Sequence, residues 1–267
     1  MESRPGNTWG REQTEQFDSH GETMRGAVRY EVTRAHLKQS LGNFLKQPRR
    51  VLDVGGGEGS DLLWLANKGI GHELVLAEPD PLYLEKARHK LDGAARVIQG
   101  GSYEAQQSYG PESFDLLLSH GVIQYLRQPR RELEALTELI KPGGYLSLLV
   151  PNIFGKLERL ADDKAAINRL ILSRQYVNNN NAISQAFAPI EVEQLLGSVG
   201  FDRFSWAGVR ILSDDDYREV NEVPVLHRNR TIDAEIRASV DPLVRSKGQM
   251  IHFIARKSPH QNQWISE

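Results

Sequence analysis

The chain has 267 residues with 33 Lys and Arg against 35 Asp and Glu, a formal net charge of −2, and 39% hydrophobic and 25% charged residues, the composition of a folded globular protein. The charge balance lacks the basic excess typical of dedicated nucleic-acid binders. The absence of cysteine excludes disulfides, thiolate nucleophiles and thiolate metal sites, and suits a reducing compartment. The first thirty residues hold no apolar run, and no stretch reaches the ~20 apolar residues of a membrane span. A cytoplasmic protein without membrane contact is expected, with its oligomeric state left open.

Residues 1–20 are polar and aperiodic and are expected to form a flexible tail. Val28, Val32, Leu37, Leu41 and Leu45 recur at helical spacing, so a helix over 28–45 is expected, stopped by Pro48. An alternation follows: strand 50–54, a glycine turn at 55–59, helix 60–68 with Ser60 or Asp61 near its N-cap, strand 73–77 and helix 81–91. Strands 95–99 and 114–119 come next, then helix 130–140 closed by Lys141-Pro142-Gly143-Gly144, then strand 145–150. Beyond Pro151 the spacing predicts a helical stretch over 153–176, a loop at 178–181, helix 190–199, strand 201–212 bent at Gly208, helix 232–245 and a last strand 249–257 in an edge hairpin. Alternating strands and helices predict an α/β fold, a doubly wound, mainly parallel seven-stranded sheet with a helical lid insertion. The expected organisation is a Rossmann-like cofactor-binding core with an N-terminal helix over 21–150, the lid over 151–188, the rest of the sheet over 189–258 and a tail over 259–267.

The central motif is Val51-Leu52-Asp53-Val54-Gly55-Gly56-Gly57-Glu58-Gly59, a strand leading through glycines into a helix. Gly55, Gly57 and Gly59 allow a tight turn and close approach of a ligand. The spacing reads G-x-G-x-G, with Ser60 where a dinucleotide fingerprint needs its last glycine. It suits a cofactor without a pyrophosphate. Glu78 lies 19 positions beyond Gly59, placed to accept hydrogen bonds from ribose hydroxyls. Asp53 is expected to orient the turn. No Walker-type phosphate loop is present. A nicotinamide-dependent oxidoreductase and a non-catalytic scaffold remain as alternatives on these residues.

Together VLDVGGGEGS (51–60), the acid of LAEPD, FDLLLSHGVIQYL (114–126) and LIKPGGYLSLLV (139–150) resemble the class I S-adenosylmethionine-dependent methyltransferases. The resemblance implies S-adenosyl-L-methionine as cofactor, with Gly55, Gly57 and Gly59 along its methionine and ribose portion and Glu78 on the ribose. It also implies Ser102 and Tyr103 beside the adenine, and His120 between cofactor and substrate. GGGEG, His120, Asn152 and Gly155 in PNIFG, Gly208-Val209-Arg210 and IHFIARK further resemble the tRNA 5-carboxymethoxyuridine methyltransferases, which methylate the carboxylate of a modified wobble uridine. That likeness implies a cofactor-contacting role for Arg29. Those enzymes carry basic residues in the insertion, whereas Tyr176-Val177-Asn178-Asn179-Asn180-Asn181 contains no lysine. A small acid, phenol or amine is therefore the alternative acceptor to modified tRNA.

Among the other polar residues, Arg210 is a candidate to grip a substrate carboxylate through its planar guanidinium. His120 is read as a pocket wall or a general base. Tyr125 and Asn152, at strand C-terminal ends, are candidate substrate contacts. Asp214, Asp215 and Asp216 are read as a solvated turn, the histidines lack zinc spacing, and no metal is expected. Arg127, Arg130 and Arg131 are read as a solvated face, with a phosphate contact as the alternative.

Overall fold

Strand β1 (Arg50–Val54) lies in the interior of the sheet, and every residue after Arg50 is buried. It pairs in parallel with β2 (Glu73–Glu78) and β4 (Phe114–His120), Leu52 lying between Val75 and Leu117. With β3 (Arg96–Gln99), β5 (Ile140–Pro151), β8 (Phe201–Val209) and β9 (Met250–Lys257), the strand order is β3-β2-β1-β4-β5-β9-β8. The first five strands are parallel and β9 is antiparallel to both its neighbours. The expected seven-stranded, mainly parallel sheet is therefore present. The order reverses between β1 and β4, where open α/β sheets form a ligand crevice. The computed structural model describes residues 23–160, 163–178, 181–212 and 218–259. The expected tail over 1–20, the Asp214, Asp215 and Asp216 turn and all but the first residue of the tail over 259–267 lie outside the described residues.

Alternate side chains along the strands feed two cores, as a sheet covered on both faces requires. Val51, Leu74, Leu76, Leu116 and Leu118 pack against Leu37 and Leu41 of α1 (Met24–Leu41), Leu62 and Leu65 of α2 (Ser60–Ala66), and Ala87 and Leu91 of α3 (Pro81–Leu91). Leu52, Val75, Leu117, Leu146 and Phe253 pack against Ala105 of α4 (Ser102–Tyr109), Leu133, Leu136 and Leu139 of α5 (Pro129–Leu139), and Val192 and Leu196 of α8 (Pro189–Ser198). Burying each such leucine contributes about 1.5–3 kcal/mol. A third cluster joins Met24, Val28 and Val32 of α1 to Leu149, Val209 and, on α9 (Val225–Val240), Ile232 and Ile236.

Several boundaries differ from the sequence reading. Helix α1 begins at Met24, where Thr23 Oγ1 accepts from the Gly26 N–H at 3.1 Å, and residues 44–46 form a separate 3₁₀ turn. The N-cap of α2 is Gly59 at φ 80°, with Ser60 and Asp61 directly after it; the Ser60 hydroxyl turns to Glu58 and Asp61 turns inward. Helix α4 has no sequence signature, since SYEAQQSY buries only Ser102 and Ala105. Strand β5 starts at Ile140, before Pro142-Gly143-Gly144 rather than after it, and its pairing with β4 bulges across that segment, from Phe114 against Ile140 to Leu116 against Tyr145. The expected helical stretch over 153–176 is instead α6 (Ile153–Arg159) and α7 (Lys164–Ser173), followed by an antiparallel pair of β6 (Gln175–Val177) and β7 (Ile183–Gln185). The expected helix over 232–245 starts earlier, at Val225. The last strand pairs antiparallel with β8 at one edge of the sheet, as expected of an edge hairpin, with β8 outermost.

Candidate active site

The crevice is built from the C-terminal ends of β1, β2, β4 and β5. Gly55, Gly57 and Gly59 all have positive φ, 67°, 58° and 80°. At Gly57 an added Cβ meets nothing nearer than Tyr83 at 3.9 Å, so this backbone faces open space where a ligand approaches. At Gly56 a Cβ would collide with the Asp53 carboxylate and Leu76, which makes this unremarked glycine as necessary as its neighbours. The Gly57 N–H donates to Glu78 Oε2 at 2.8 Å and the Asp80 N–H donates to Oε1 at 2.9 Å. Glu78 is thus fixed at the lip of the turn. Burial raises its pKa, and the two backbone donors offset only part of that rise. This open glycine backbone beside a fixed carboxylate fits a nucleoside with a free ribose diol, the donor–acceptor set that S-adenosylmethionine presents.

Asp53 is buried behind the turn. Burial, then the charges of Asp61 and Glu78, push its pKa well up, with Arg29 opposing. Asp61, not singled out by motif, is the first-turn acid of α2. It accepts from His120 Nδ1 at 3.0 Å and lies 3.5 Å from Arg34 Nε. Burial alone raises the Asp61 pKa, but the His120 hydrogen bond and charge, with Arg34 and Arg29, outweigh it and hold it at about 2. The other His120 nitrogen, Nε2, meets Ser147 Oγ at 2.8 Å. Both ring nitrogens are therefore engaged by protein groups. Arg29 on α1 packs over Tyr30 at 5.0 Å. Ser102 is buried and hydrogen-bonds Glu132, while Tyr103 beside it is 65% exposed, free to cover a bound ring.

A second group assembles on the side of β5, β8 and the insertion. Arg210 directly follows β8 in the left-handed region at φ 62°, a strained place for a residue with a Cβ. Glu235 of α9 holds it there, accepting from the Ile211 and Leu212 N–H groups at 2.8 and 2.9 Å. Arg210 and Arg25 are both buried, and both charges act on Tyr176 of the hairpin. Burial drives the Tyr176 phenol upward. Tyr125, in the 3₁₀ turn Ile123–Tyr125, accepts from Asn178 Nδ2 at 3.0 Å, and Gln185 Nε2 donates to Leu126 O at 3.1 Å. Burial raises the Tyr125 pKa, opposed by its hydrogen bonds with Gln124 and Asn178 and by Arg29. The hairpin is thereby clasped over the end of β4.

One candidate is corrected. Asn152 is fully buried, its amide donates to Ser246 O and Gly248 O at 2.7 and 2.8 Å, and its carbonyl accepts from the Phe154 N–H at 3.2 Å. It braces the framework and caps α6 and does not face a substrate. Arg25, Asp61 and Tyr176 were missed. Only Asp61 carried a local signal, two positions after the glycines.

The sequence profile of the methyltransferase domain family matches residues 24–203. The chain is 31% identical over 139 residues to the tRNA 5-carboxymethoxyuridine methyltransferase of Escherichia coli (strain K12), covering 51% of this chain and 52% of that protein. It is 29% identical over 123 residues to the trans-aconitate 2-methyltransferase of Rhizobium leguminosarum bv. trifolii, covering 46% of each. The chain thus spans about half the length of the curated relatives it matches. Its fold is that of a Thermotoga maritima SAM-dependent methyltransferase (TM-score 0.59, 18% identity, 91% of this chain and 95% of that one). It is also that of the Burkholderia thailandensis 1,6-didemethyltoxoflavin-N1-methyltransferase (TM-score 0.55, 18% identity, 97% and 92%), a structure holding S-adenosylhomocysteine. The nicotinamide alternative falls with the family match. The chain belongs to the methyltransferase domain family, whose methyl donor is S-adenosylmethionine.

Proposed function

We propose that the chain methylates a carboxylate oxygen, with Arg210 and Arg25 holding the acceptor's anionic end and Tyr125 and Tyr176 walling it. The observation that carries this reading is the pair of buried guanidiniums acting on one tyrosine. Both guanidiniums are buried, where charge acts more strongly than in water, and both lie close enough to Tyr176 for their charge to act on its phenol. A guanidinium fork also aligns a carboxylate through two parallel hydrogen bonds. A carboxylate is ionised at neutral pH and requires no base. The reading therefore agrees with His120 keeping both nitrogens in protein hydrogen bonds.

When bound, S-adenosylmethionine supplies an electrophilic methyl group. Glu78 would accept from the ribose hydroxyls, Gly55, Gly57 and Gly59 would admit the backbone close to the ligand, and Asp53 would support that turn. Ser102 and Tyr103 would flank the adenine and Arg29 would meet the methionine carboxylate. The lid over 151–188 and α1 would exclude water, so orientation and proximity supply most of the rate. The carrier of the carboxylate is a modified tRNA wobble uridine. The supporting fact is the 31% identity to an enzyme named for tRNA 5-carboxymethoxyuridine. A small carboxylic acid is the second reading, favoured by a lid hairpin, residues 175–185, that contains neither Lys nor Arg.

The test supplies the purified chain with labelled S-adenosylmethionine and, separately, tRNA bearing 5-carboxymethoxyuridine and trans-aconitate. Transfer to a carboxylate is expected. In Arg210→Ala, kcat/KM should fall by about 100-fold or more, the scale of truncating one side of a buried charge pair, with S-adenosylhomocysteine affinity unchanged. Unaltered turnover in that variant rules out the clamp, and transfer only to neutral hydroxyls or amines rules out the carboxylate.

A further inference from the structure

We infer that Ser147, His252, His36 and Ser205 form a proton relay through which His120 exchanges protons with solvent at the outer edge of the sheet instead of through the cofactor crevice. The chain of contacts is continuous. His120 Nε2 meets Ser147 Oγ at 2.8 Å, and Ser147 Oγ meets His252 Nε2 at 2.7 Å. His252 Nδ1 meets His36 Nδ1 at 3.0 Å, His36 Nε2 meets Ser205 Oγ at 3.3 Å, and Ser205 Oγ meets Ser40 Oγ at 3.2 Å. These residues come from β4, β5, β9, α1 and β8, so the line crosses the sheet from its crevice to its outer edge. Ser147 and His252 have no exposed surface. The outer end opens into a groove of about 410 Å³ lined by His36, Ser40, Glu193, Ser205, Trp206 and Arg245.

The chemistry of the links permits only two arrangements. Asp61, ionised, accepts only, so His120 Nδ1 carries a proton. Burial holds His252 well below the usual imidazole range, with the charges of His36 and His120 adding to it. Burial, then the charge of Arg245, brings His36 down to about 4. Both rest neutral, each with one N–H and one lone pair. When His120 is neutral, its Nε2 accepts from Ser147, Ser147 accepts from His252 Nε2–H, His252 Nδ1 accepts from His36 Nδ1–H, and His36 Nε2 accepts from Ser205. Every donor then points toward Asp61. When His120 is charged, its Nε2–H donates and every other link reverses.

One passage connects the two arrangements. Ser205 takes a proton from a hydronium ion in the groove, which leaves as water, and gives its own to His36 Nε2. His36 gives its Nδ1 proton to His252 Nδ1, His252 gives its Nε2 proton to Ser147, and Ser147 gives its hydroxyl proton to His120 Nε2. Each relay residue forms one bond to hydrogen and breaks one, and the net result is a charged His120 with the relay polarity reversed. The groups that set this balance are Asp61 with Arg34 and Arg29 from α2 and α1, Asp53 and Glu78 from the ends of β1 and β2, and Arg245 and Glu193 at the groove. The relay does not depend on which acceptor is methylated.

The test is nitrogen NMR of the full chain labelled at histidine and saturated with S-adenosylhomocysteine, titrated across about pH 5–8, where histidines change charge. The Nδ1 and Nε2 signals of both His36 and His252 should exchange tautomer together, in step with the charging of His120. In Ser147→Ala that coupling should be lost while His120 still titrates, and Ser205→Ala, at the exposed end, should slow His120 proton exchange with water. A structural network that only satisfies buried polar atoms would keep fixed tautomers at His36 and His252. Fixed tautomers, or three histidines that titrate independently, overturn the relay, and the wild-type titration decides this even if Ser147→Ala fails to fold.

Discussion

The two halves of the active site are built in opposite ways. The cofactor half comes from a short run of chain, β1 through β4, in which the glycines, Glu78 and Asp61 follow one another with fixed spacing. The proposed acceptor half draws on Arg25 from α1, Tyr125 from the turn after β4, Tyr176 from the hairpin and Arg210 from the end of β8. The first is held by backbone geometry that any member of the fold must reproduce. The second is held by side chains on separate elements, and a change in one element re-aims it. A shared cofactor with many acceptors is what such a division yields.

If the halves are independent, damage should stay on one side. The largest effect is expected for Asp61→Asn, which removes the charge paired with His120 and Arg34, a loss of about 3–5 kcal/mol for a broken buried pair. The folded-state pKa of Asp61 is depressed to about 2, so its stabilisation is complete above the unfolded value near 3.9 and disappears as pH falls through the folded one. Denaturant unfolding of wild type and variant should therefore differ fully above about pH 4 and converge toward pH 2. A gap that stays constant with pH contradicts the pairing. Asp53 and Glu78, raised instead of lowered, act in the opposite sense and favour the folded state as pH falls.

Next, Glu78→Ala should weaken S-adenosylhomocysteine binding about 10–100-fold by calorimetry, the scale of losing charged hydrogen bonds, and leave acceptor KM in place. Undiminished affinity would remove Glu78 from the ribose role. The smallest effect belongs to Glu235→Gln, which keeps the shape but weakens the two bonds that fix the Arg210 turn. About 1 kcal/mol, or roughly a fivefold fall in acceptor kcat/KM, is expected with cofactor affinity intact. A fall in cofactor affinity instead would show that the halves are coupled through α9.

The same division decides what was legible in the sequence. Strands β1, β2 and β4 announced themselves as apolar runs, and the glycine spacing with Glu78 marked the cofactor side, because these signals lie within one stretch of chain. Helix α4 was silent since its exposed face is polar and its buried face is two small residues. Tyr176 and Arg25 carry no local pattern, and their meaning comes from packing against elements far away in sequence. The Ser147–His252 contact joins residues 105 apart and His36–His252 joins residues 216 apart, distances that no motif spans. Asn152 misled for the reverse reason. It directly follows β5, where open α/β sheets bind ligands, but it is fully buried and its amide is spent on the backbone of the segment before β9.

Because β9 lies between β5 and β8, the order of synthesis differs from the order of the sheet. On the ribosome β8 emerges well before residues 250–257 and has no partner strand until they follow. A nascent chain at that stage exposes the open flanks of β5 and β8, the kind of unpaired edge that invites association with other chains. His252 arrives with that final strand, so a chain stalled or clipped just short of it would carry the glycine turn and Glu78 yet lack the centre of the buried histidine line.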